Sequence, residues 1–426
     1  MRTDPSESVS EPRRIIIVGG GIAGLEALLA LRDLAGDAVS ITLVAPNPEF
    51  TYKPLAVEEP FTLSPAETHE LEPAVREQGG EFVQRALVSV SPEDKSIELD
   101  NGSSREYDSL VVCVGARQED PFAEATTFRL GAEMLDVEEL VPAPGEARRI
   151  ALIVPPGAHW ALPIYELALM ARRRAEETGR DDLEYVVLTP EESPLAIFGT
   201  VPSEAVAELL RARRIEVQPG AYVHEEESGK LVVTPGGGEV EADSVITLPV
   251  LEGPGLRGLP ADDHGFIPID GHARVQGVED VYAAGDGTTF PIKHGGLATQ
   301  EADAAAAHIA AAAGADVQPM PFRPVLRGQL IAGDESLQMA HQLSGGAGEG
   351  AAGLDYLWWP PHKVSGRYLA PWLGEGQPHA DFEPPGTPID VELELPQDWH
   401  RQPMALDPYG SGLTKNTNSK ANEGER

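Results

Sequence analysis

The chain has 426 residues, 41% of them hydrophobic, and its 69 acidic against 32 basic side chains leave a net charge of −37. That length sets an expectation of two to three domains, and that charge argues against nucleic acid and against charge-driven docking on anionic lipid. No apolar run approaches the roughly 18 residues of a membrane span, the start MRTDPSESVSEPRR has no apolar core, and a lone cysteine (Cys113) excludes an internal disulfide, a Cys-x-x-Cys pair or a thiolate metal cluster, so the chain reads as a cytoplasmic protein.

Residues 1–12 are expected to be disordered. Ile15-Ile16-Ile17-Val18 is a β-branched run suited to a strand buried on both faces. It runs into Gly19-Gly20-Gly21-Ile22-Ala23-Gly24, a G-x-G-x-x-G pattern at Gly19, Gly21 and Gly24. In a dinucleotide-binding turn the first glycine permits the turn, the second lets backbone approach a pyrophosphate, and the third lets the helix pack closely. Leu25 to Leu34 follows as a helix whose free N–H groups and dipole face that site, and Ile41-Thr42-Leu43-Val44 is the second strand. Where an acidic residue would hold a ribose hydroxyl the chain has Ala45, with Asn47 as a neutral substitute, so this stretch alone does not identify the dinucleotide.

Glu49 to Leu55, which includes Pro54, is an aromatic-rich loop. Alternation over residues 80–100 and a turn at Asp100-Asn101-Gly102 predict short strands and a hairpin. Tyr107 to Ala116 reads as another buried strand, carrying Cys113 and ending at Gly115.

A second α/β unit starts at Arg149, with strands at Ile150–Val154 and Tyr185–Thr189 and a helix over Tyr165–Arg174. Its strand-to-helix turn, Pro155 to Ile164, holds three prolines and Trp160 where a pyrophosphate loop needs glycines and free amides. A helix over Val201–Arg213 and strands at Leu231–Thr234 and Val245–Pro249 complete the unit, and the Gly/Pro-rich 252–260 leads back to the first. Val281 to Asp286 is a short strand delivering Gly285-Asp286, a carboxylate placed for a polyol hydroxyl. Lys293-His294-Gly295-Gly296-Leu297-Ala298 then opens an alanine-rich helix whose N-terminus suits developing negative charge. Lys293 is either a cation at that site or part of a surface turn. His159, His264, His272, His294, His308 and His362 show no metal-ligand spacing, and no metal is expected.

These residues together resemble the pyridine nucleotide-disulfide oxidoreductase superfamily, two-dinucleotide-domain flavoproteins, over about residues 13 to 313. Within it the chain is most similar to sulfide:quinone reductases, flavocytochrome c sulfide dehydrogenases and type II NADH dehydrogenases, with Tyr165-Glu166-Leu167-Ala168 matching their V-E-L-A helix start. The resemblance implies an α/β fold of two Rossmann-like domains, the second inserted in the first, plus a C-terminal interface-type segment. The expected boundaries are an FAD domain at 13–120 and 253–318, an NAD(P)-like domain at 121–252 with a degraded glycine loop, a C-terminal part at 319–405 and a disordered tail at 406–426.

It further implies non-covalent FAD, with Asp286 on the ribityl chain and the Gly295–Ala298 amides near the flavin pyrimidine edge. Pro54 and its loop then lie on the flavin ring or form a structural lid, and Glu166 and Lys293 are the candidates for proton handling and electrostatic support. The sulfide-oxidising relatives use paired redox cysteines, which this chain lacks. The reading is an FAD-dependent oxidoreductase passing two electrons from a small donor to a quinone or similar acceptor. The alternatives are an NAD(P)H:acceptor oxidoreductase and a flavin-binding scaffold or sensor without turnover. NADH and NADPH are expected to be poor donors, although Glu191 and Glu192 could hold the ribose of NADH. The segment Leu354–Trp372, with three of five tryptophans, either walls an acceptor site or packs as a flap on the FAD domain or on the second subunit of a homodimer; peripheral membrane contact is compatible with it.

Overall fold

Buried β-branched strands build the first unit. The computed structural model describes residues 11–62, 66–129, 135–145, 148–333, 336–343, 350–354, 357–358 and 362–374. Arg13–Val18 lies at the centre of a five-stranded parallel sheet, with Val39–Ala45 and then Glu81–Gln84 on one side and Ser109–Val112 and then Val281–Ala283 on the other. The register sets Ile17 opposite Leu43 and Val111, and all three are fully buried. Each such side chain contributes roughly 1.5–3 kcal/mol on removal from water. In chain order the strands run 3-2-1-4-5, so the direction of winding reverses between the first and fourth. The crevice beyond their carboxyl ends is where such sheets bind ligands.

Helix Ile22–Ala35 covers the sheet and packs on helix Gly295–Ala312. Ala27 and Ala30 on one helix and Ala302, Ala305 and Ala306 on the other are buried, and such small side chains let two backbones approach closely. The last strand and the second helix of this unit therefore come from a segment about 170 residues after the fourth strand, with the second α/β unit between them.

The second unit repeats the plan. Arg149–Ile153 is central, flanked by Glu184–Leu188 and Ile215–Gln218 on one side and by Ser244–Thr247 and the short Thr126–Thr127 on the other, all parallel. The two chain crossings between the units pair with each other, Arg117–Glu119 running antiparallel to Val250–Glu252. The α/β fold class read from the sequence is the one observed.

Several local features differ from expectation. The helix at Tyr165 starts at Leu162 and runs to Glu177, because Pro163 sits in its first turn, where a missing N–H costs nothing. Cys113 lies one residue past the end of its strand rather than mid-strand. The C-terminal part opens with the strand Val325–Ile331, the first of a three-stranded antiparallel sheet with Ser336–Gln342 and Ala351–Gly353. Gln300 fastens that sheet to the first unit, its side chain accepting from the Val325 N–H at 3.0 Å and donating to the Val325 carbonyl at 2.9 Å. The ends expected to be disordered fall, but for residues 11 and 12, outside the described residues, as do Tyr356, residues 359–361 and everything beyond 374.

Candidate functional site

A cavity of about 660 Å³ opens at the switch point of the first sheet, inside the roughly 300–1,000 Å³ typical of small-molecule sites. The three fingerprint glycines meet it in three ways. Gly19 has φ +110°, and a Cβ there would lie 2.1 Å from the Cys113 carbonyl oxygen, so the turn presses directly against the end of the fourth strand. Gly24 is not at the cavity: its Cβ would strike the Gly19 carbonyl oxygen at 1.9 Å, which makes it a packing glycine between helix and turn. Gly21 precedes the helix, lines the cavity and has nothing within 4 Å of where a Cβ would stand. Open space there beside an uncapped helix N-terminus is the cradle a pyrophosphate requires, so the residues present fit a dinucleotide.

Asn47, Pro54, Gly115, Gly285 and Asp286 all line the same cavity, Asn47 from an exposed position at its mouth. Glu301 fixes the Gly285-Asp286 turn, accepting from the Gly285 N–H at 2.6 Å and from the Thr288 hydroxyl at 3.2 Å. Burial pushes the Asp286 carboxyl upward, with Lys293 and Lys53 pulling it down. Lys293 is buried, not on a surface turn; its Nζ donates to the Thr288 carbonyl and stands 4.2 Å above the Phe266 ring. Burial brings its ammonium down to about 8, while Asp286, Glu301 and Asp262 act in the other direction.

The helix start at Gly295 differs from expectation. His294 caps it, Nδ1 accepting from the Gly296 N–H at 3.1 Å, and its carbonyl accepts from the N–H groups of both Leu297 and Ala298 at 2.9 Å. Three of the four amides expected to face a ligand therefore already donate within the turn. Gly295 and Ala298 line the cavity, whereas Gly296 and Leu297 turn into the core. The sequence signal for a dipole-bearing helix N-terminus does not reveal that a histidine has spent its donors.

The second unit and the C-terminal segment close the cavity. Trp160, from the proline-rich turn, sets its ring 4.6 Å from that of His294 in a tilted contact and 5.7 Å from that of Phe198 edge-on. Glu166 is fully buried at the cavity wall, where Lys363 Nζ donates to both its oxygens at 2.7 and 2.8 Å and the Ile331 N–H donates at 2.9 Å. Burial raises this carboxyl and Lys363 opposes the rise. Lys363 and Val364 bring the aromatic segment to the cavity itself, and the Val364 N–H donates to Tyr52 Oη at 2.9 Å, joining that segment to the loop that carries Pro54. Glu191, considered for a ribose, is taken up inside the fold: it accepts from Tyr165 Oη at 2.6 Å and from the Thr189 hydroxyl at 3.0 Å. Cys113 is a buried wall residue whose thiol is raised strongly by burial, the opposite of what a reactive thiolate needs.

Glycine spacing and the Gly-Asp turn point to most of this constellation from sequence. Lys363, Glu301 and Tyr52 carry no such signal, since each acts through a partner more than ten residues away in the chain. Among the described residues no group of three or more His, Cys, Asp and Glu could hold a metal ion, and no helix is long and apolar enough to cross a membrane.

A rhodocoxin reductase from Rhodococcus erythropolis is 26% identical to the chain over 296 residues, a match that spans 65% of this chain and 65% of that relative. The fold is similar to that of the sulfide:quinone oxidoreductase of the hyperthermophilic bacterium Aquifex aeolicus, with a TM-score of 0.72 and 20% identity over 80% of this chain and 86% of that one. A ferredoxin reductase from Rhodopseudomonas palustris follows at 0.59 and 18%, over 78% and 82% of the two chains. An NAD-dependent persulfide reductase from A. fulgidus stands at 0.56 and 18%, over 77% and 64%. Residues 13–314 match the pyridine nucleotide-disulphide oxidoreductase family, and with that match spanning both α/β units and the returning helix, the chain belongs to this family of flavoprotein oxidoreductases.

Proposed function

We propose that the chain binds FAD non-covalently in the cavity and passes two electrons from a small donor to a quinone or similar acceptor. The observation that carries the reading is the continuity of the cavity, which runs from the Gly19–Gly21 turn past Asp286 and Lys293 to the Glu166–Lys363 pair. Bound there, the flavin would supply the two-electron chemistry. Gly19, Gly21 and the helix N-terminus hold the pyrophosphate, Asp286 accepts from the polyol, and Gly115, Gly295, Ala298 and Pro54 form the walls. Lys293, buried and cationic through neutral pH, supports negative charge at the ring end. Lys363 donates to both oxygens of Glu166 at 2.7 and 2.8 Å, so this carboxylate at the cavity wall is the candidate for proton handling.

Cysteine takes no part. A relay of the kind sulfide oxidation needs requires two thiols, and the single one here is buried and held protonated. Nicotinamide donors are disfavoured on two grounds. Trp160 fills the junction between the second unit's helix start and His294, and Glu191 already serves Tyr165 and Thr189. The competing reading is an NAD(P)H:acceptor oxidoreductase. Anaerobic protein mixed with candidate small donors should lose its flavin absorbance and regain it on addition of a soluble quinone, while millimolar NADH should leave the flavin oxidised over seconds. Rapid bleaching by NADH would move the assignment to the competing reading. Bleaching by no donor at all would leave a flavin scaffold without turnover.

A further inference from the structure

Lys363 reaches Glu166 from a segment outside both sheets, so something must hold that segment in place. Its anchor lies on the first helix. Glu26 is fully buried in helix Ile22–Ala35, and its two oxygens each accept one backbone N–H from the C-terminal segment, Tyr368 at 2.9 Å and Leu369 at 2.6 Å. Gly366 passes so close that a Cβ there would stand 2.7 Å from Glu26 Oε2. The partner of this carboxylate is not a cation but a second carboxyl, Asp303 of helix Gly295–Ala312, within hydrogen-bonding reach. Two buried carboxyls in contact cannot both ionise without large cost, so one proton stays between them.

We propose that Glu26, with Asp303 holding the shared proton, is the positioning residue that clamps Lys363 into the cavity, and that full ionisation of the pair releases the clamp. Glu26 is the member that accepts two amide N–H groups and so keeps the charge; Asp303 is the member that donates. Burial raises Asp303 to about 9, with Glu26 acting the same way and Arg367 opposing. The other ionisable groups beside the pair are Arg367 and Tyr368, whose hydroxyl burial raises to about 12; Asp33, on the same helix as Glu26, acts on Tyr368. Among Glu26, Asp303 and Tyr368, Asp303 is therefore the group that titrates below pH 10. Because its folded value is raised above the one it takes when the clamp opens, the clamp loses stability as pH rises toward about 9 and loses no more above it.

The role of Lys363 at the cavity rests on the proposed function; the clamp itself does not. Hydrogen exchange of the full-length protein as purified, read on a peptide covering 366–373 and corrected for intrinsic rate, should show the Tyr368 and Leu369 amides protected at pH 7. From pH 6 to 9 that protection should fall by up to about tenfold for each pH unit, the signature of one linked proton, and level off above 9. Asp303→Asn, which keeps a donor toward Glu26 and cannot ionise, should hold its protection across the range. Glu26→Gln, with one oxygen for two N–H groups, should be less protected at every pH. That pH dependence of protection, present in the wild type and absent from Asp303→Asn, is one a purely structural role would not produce. Flat wild-type protection to pH 10, or the same fall in Asp303→Asn, would overturn the proposal. A clamp that behaves as described in a protein no quinone reoxidises would instead count against the functional reading alone.

Discussion

Gly21 and Gly24 stand three residues apart in one motif, and the same substitution should have opposite consequences at each. At Gly24 an added Cβ meets the Gly19 carbonyl oxygen at 1.9 Å, with the Gly19 carbonyl carbon at 3.0 Å. A backbone atom cannot swing aside as a side chain can, so turn and helix must part by more than an ångström. Overpacking of this kind costs typically about 1–3 kcal/mol, with a rigid neighbour placing it at the upper end, and alanine recovers at most about 1 kcal/mol over glycine within a helix. Gly24→Ala should therefore destabilise the flavin-free protein by about 2 kcal/mol, a fall in Tm of roughly 4–8 °C at about 2–4 °C per kcal/mol for a unit of this size. At Gly21 the backbone is extended, with φ −90°, and nothing lies within 4 Å. Gly21→Ala should leave flavin-free stability within about 1 kcal/mol of wild type. Its methyl instead occupies the approach of the pyrophosphate, weakening FAD binding by about 1–3 kcal/mol, or roughly five- to 150-fold. Thermal unfolding of the stripped proteins and fluorescence titration with FAD separate the two effects. A Gly21→Ala protein that binds FAD like wild type, or that melts as early as Gly24→Ala, would refute this division of roles.

Cys113→Ala should leave flavin reduction by any working donor unchanged, and the native thiol should resist a disulfide reagent at pH 8 until the protein is denatured; loss of activity in a folded, flavin-bound variant would count against its wall-only role. Lys363→Met should destabilise the protein by about 3–5 kcal/mol by leaving Glu166 buried without its counter-charge, and adding Glu166→Gln should restore much of that in urea melts; additive losses would show the pair is not coupled. Burial sets the Glu191 carboxyl at about 7, above its unfolded value, so its contribution is fully present near pH 4 and is lost as pH rises through 7. Glu191→Gln should consequently gain on wild type between pH 5 and 8, by up to about 3 kcal/mol, and a difference that does not change with pH would contradict the buried assignment.

Legibility from sequence followed the range of the forces involved. The Ile15–Val18 run and the glycine turn are local patterns, and they placed the central strand, the first helix and the switch-point cavity. The Gly285-Asp286 turn was equally readable because a short strand and a helix start bracket it. What escaped were contacts between remote segments. Pro155 to Pro163 announced an unsuitable phosphate loop, but not that Trp160 would pack on His294. Glu191 looked free because the Tyr165 hydroxyl that engages it lies a helix away. The helices Glu59–Thr62 and Leu71–Glu77 were also missed, each being too short to display a 3.6-residue period.

The central claim is that the cavity between the glycine turn and the Glu166–Lys363 pair holds a flavin. Denaturing the purified chain and measuring the released cofactor by absorbance and mass tests it most directly. The account predicts one FAD released per chain with none left covalently attached, and its loss from Asp286→Ala protein that remains folded. A chain that carries no flavin and takes up none when FAD is supplied in excess, or Asp286→Ala and Gly21→Ala variants that both keep full occupancy, would contradict it.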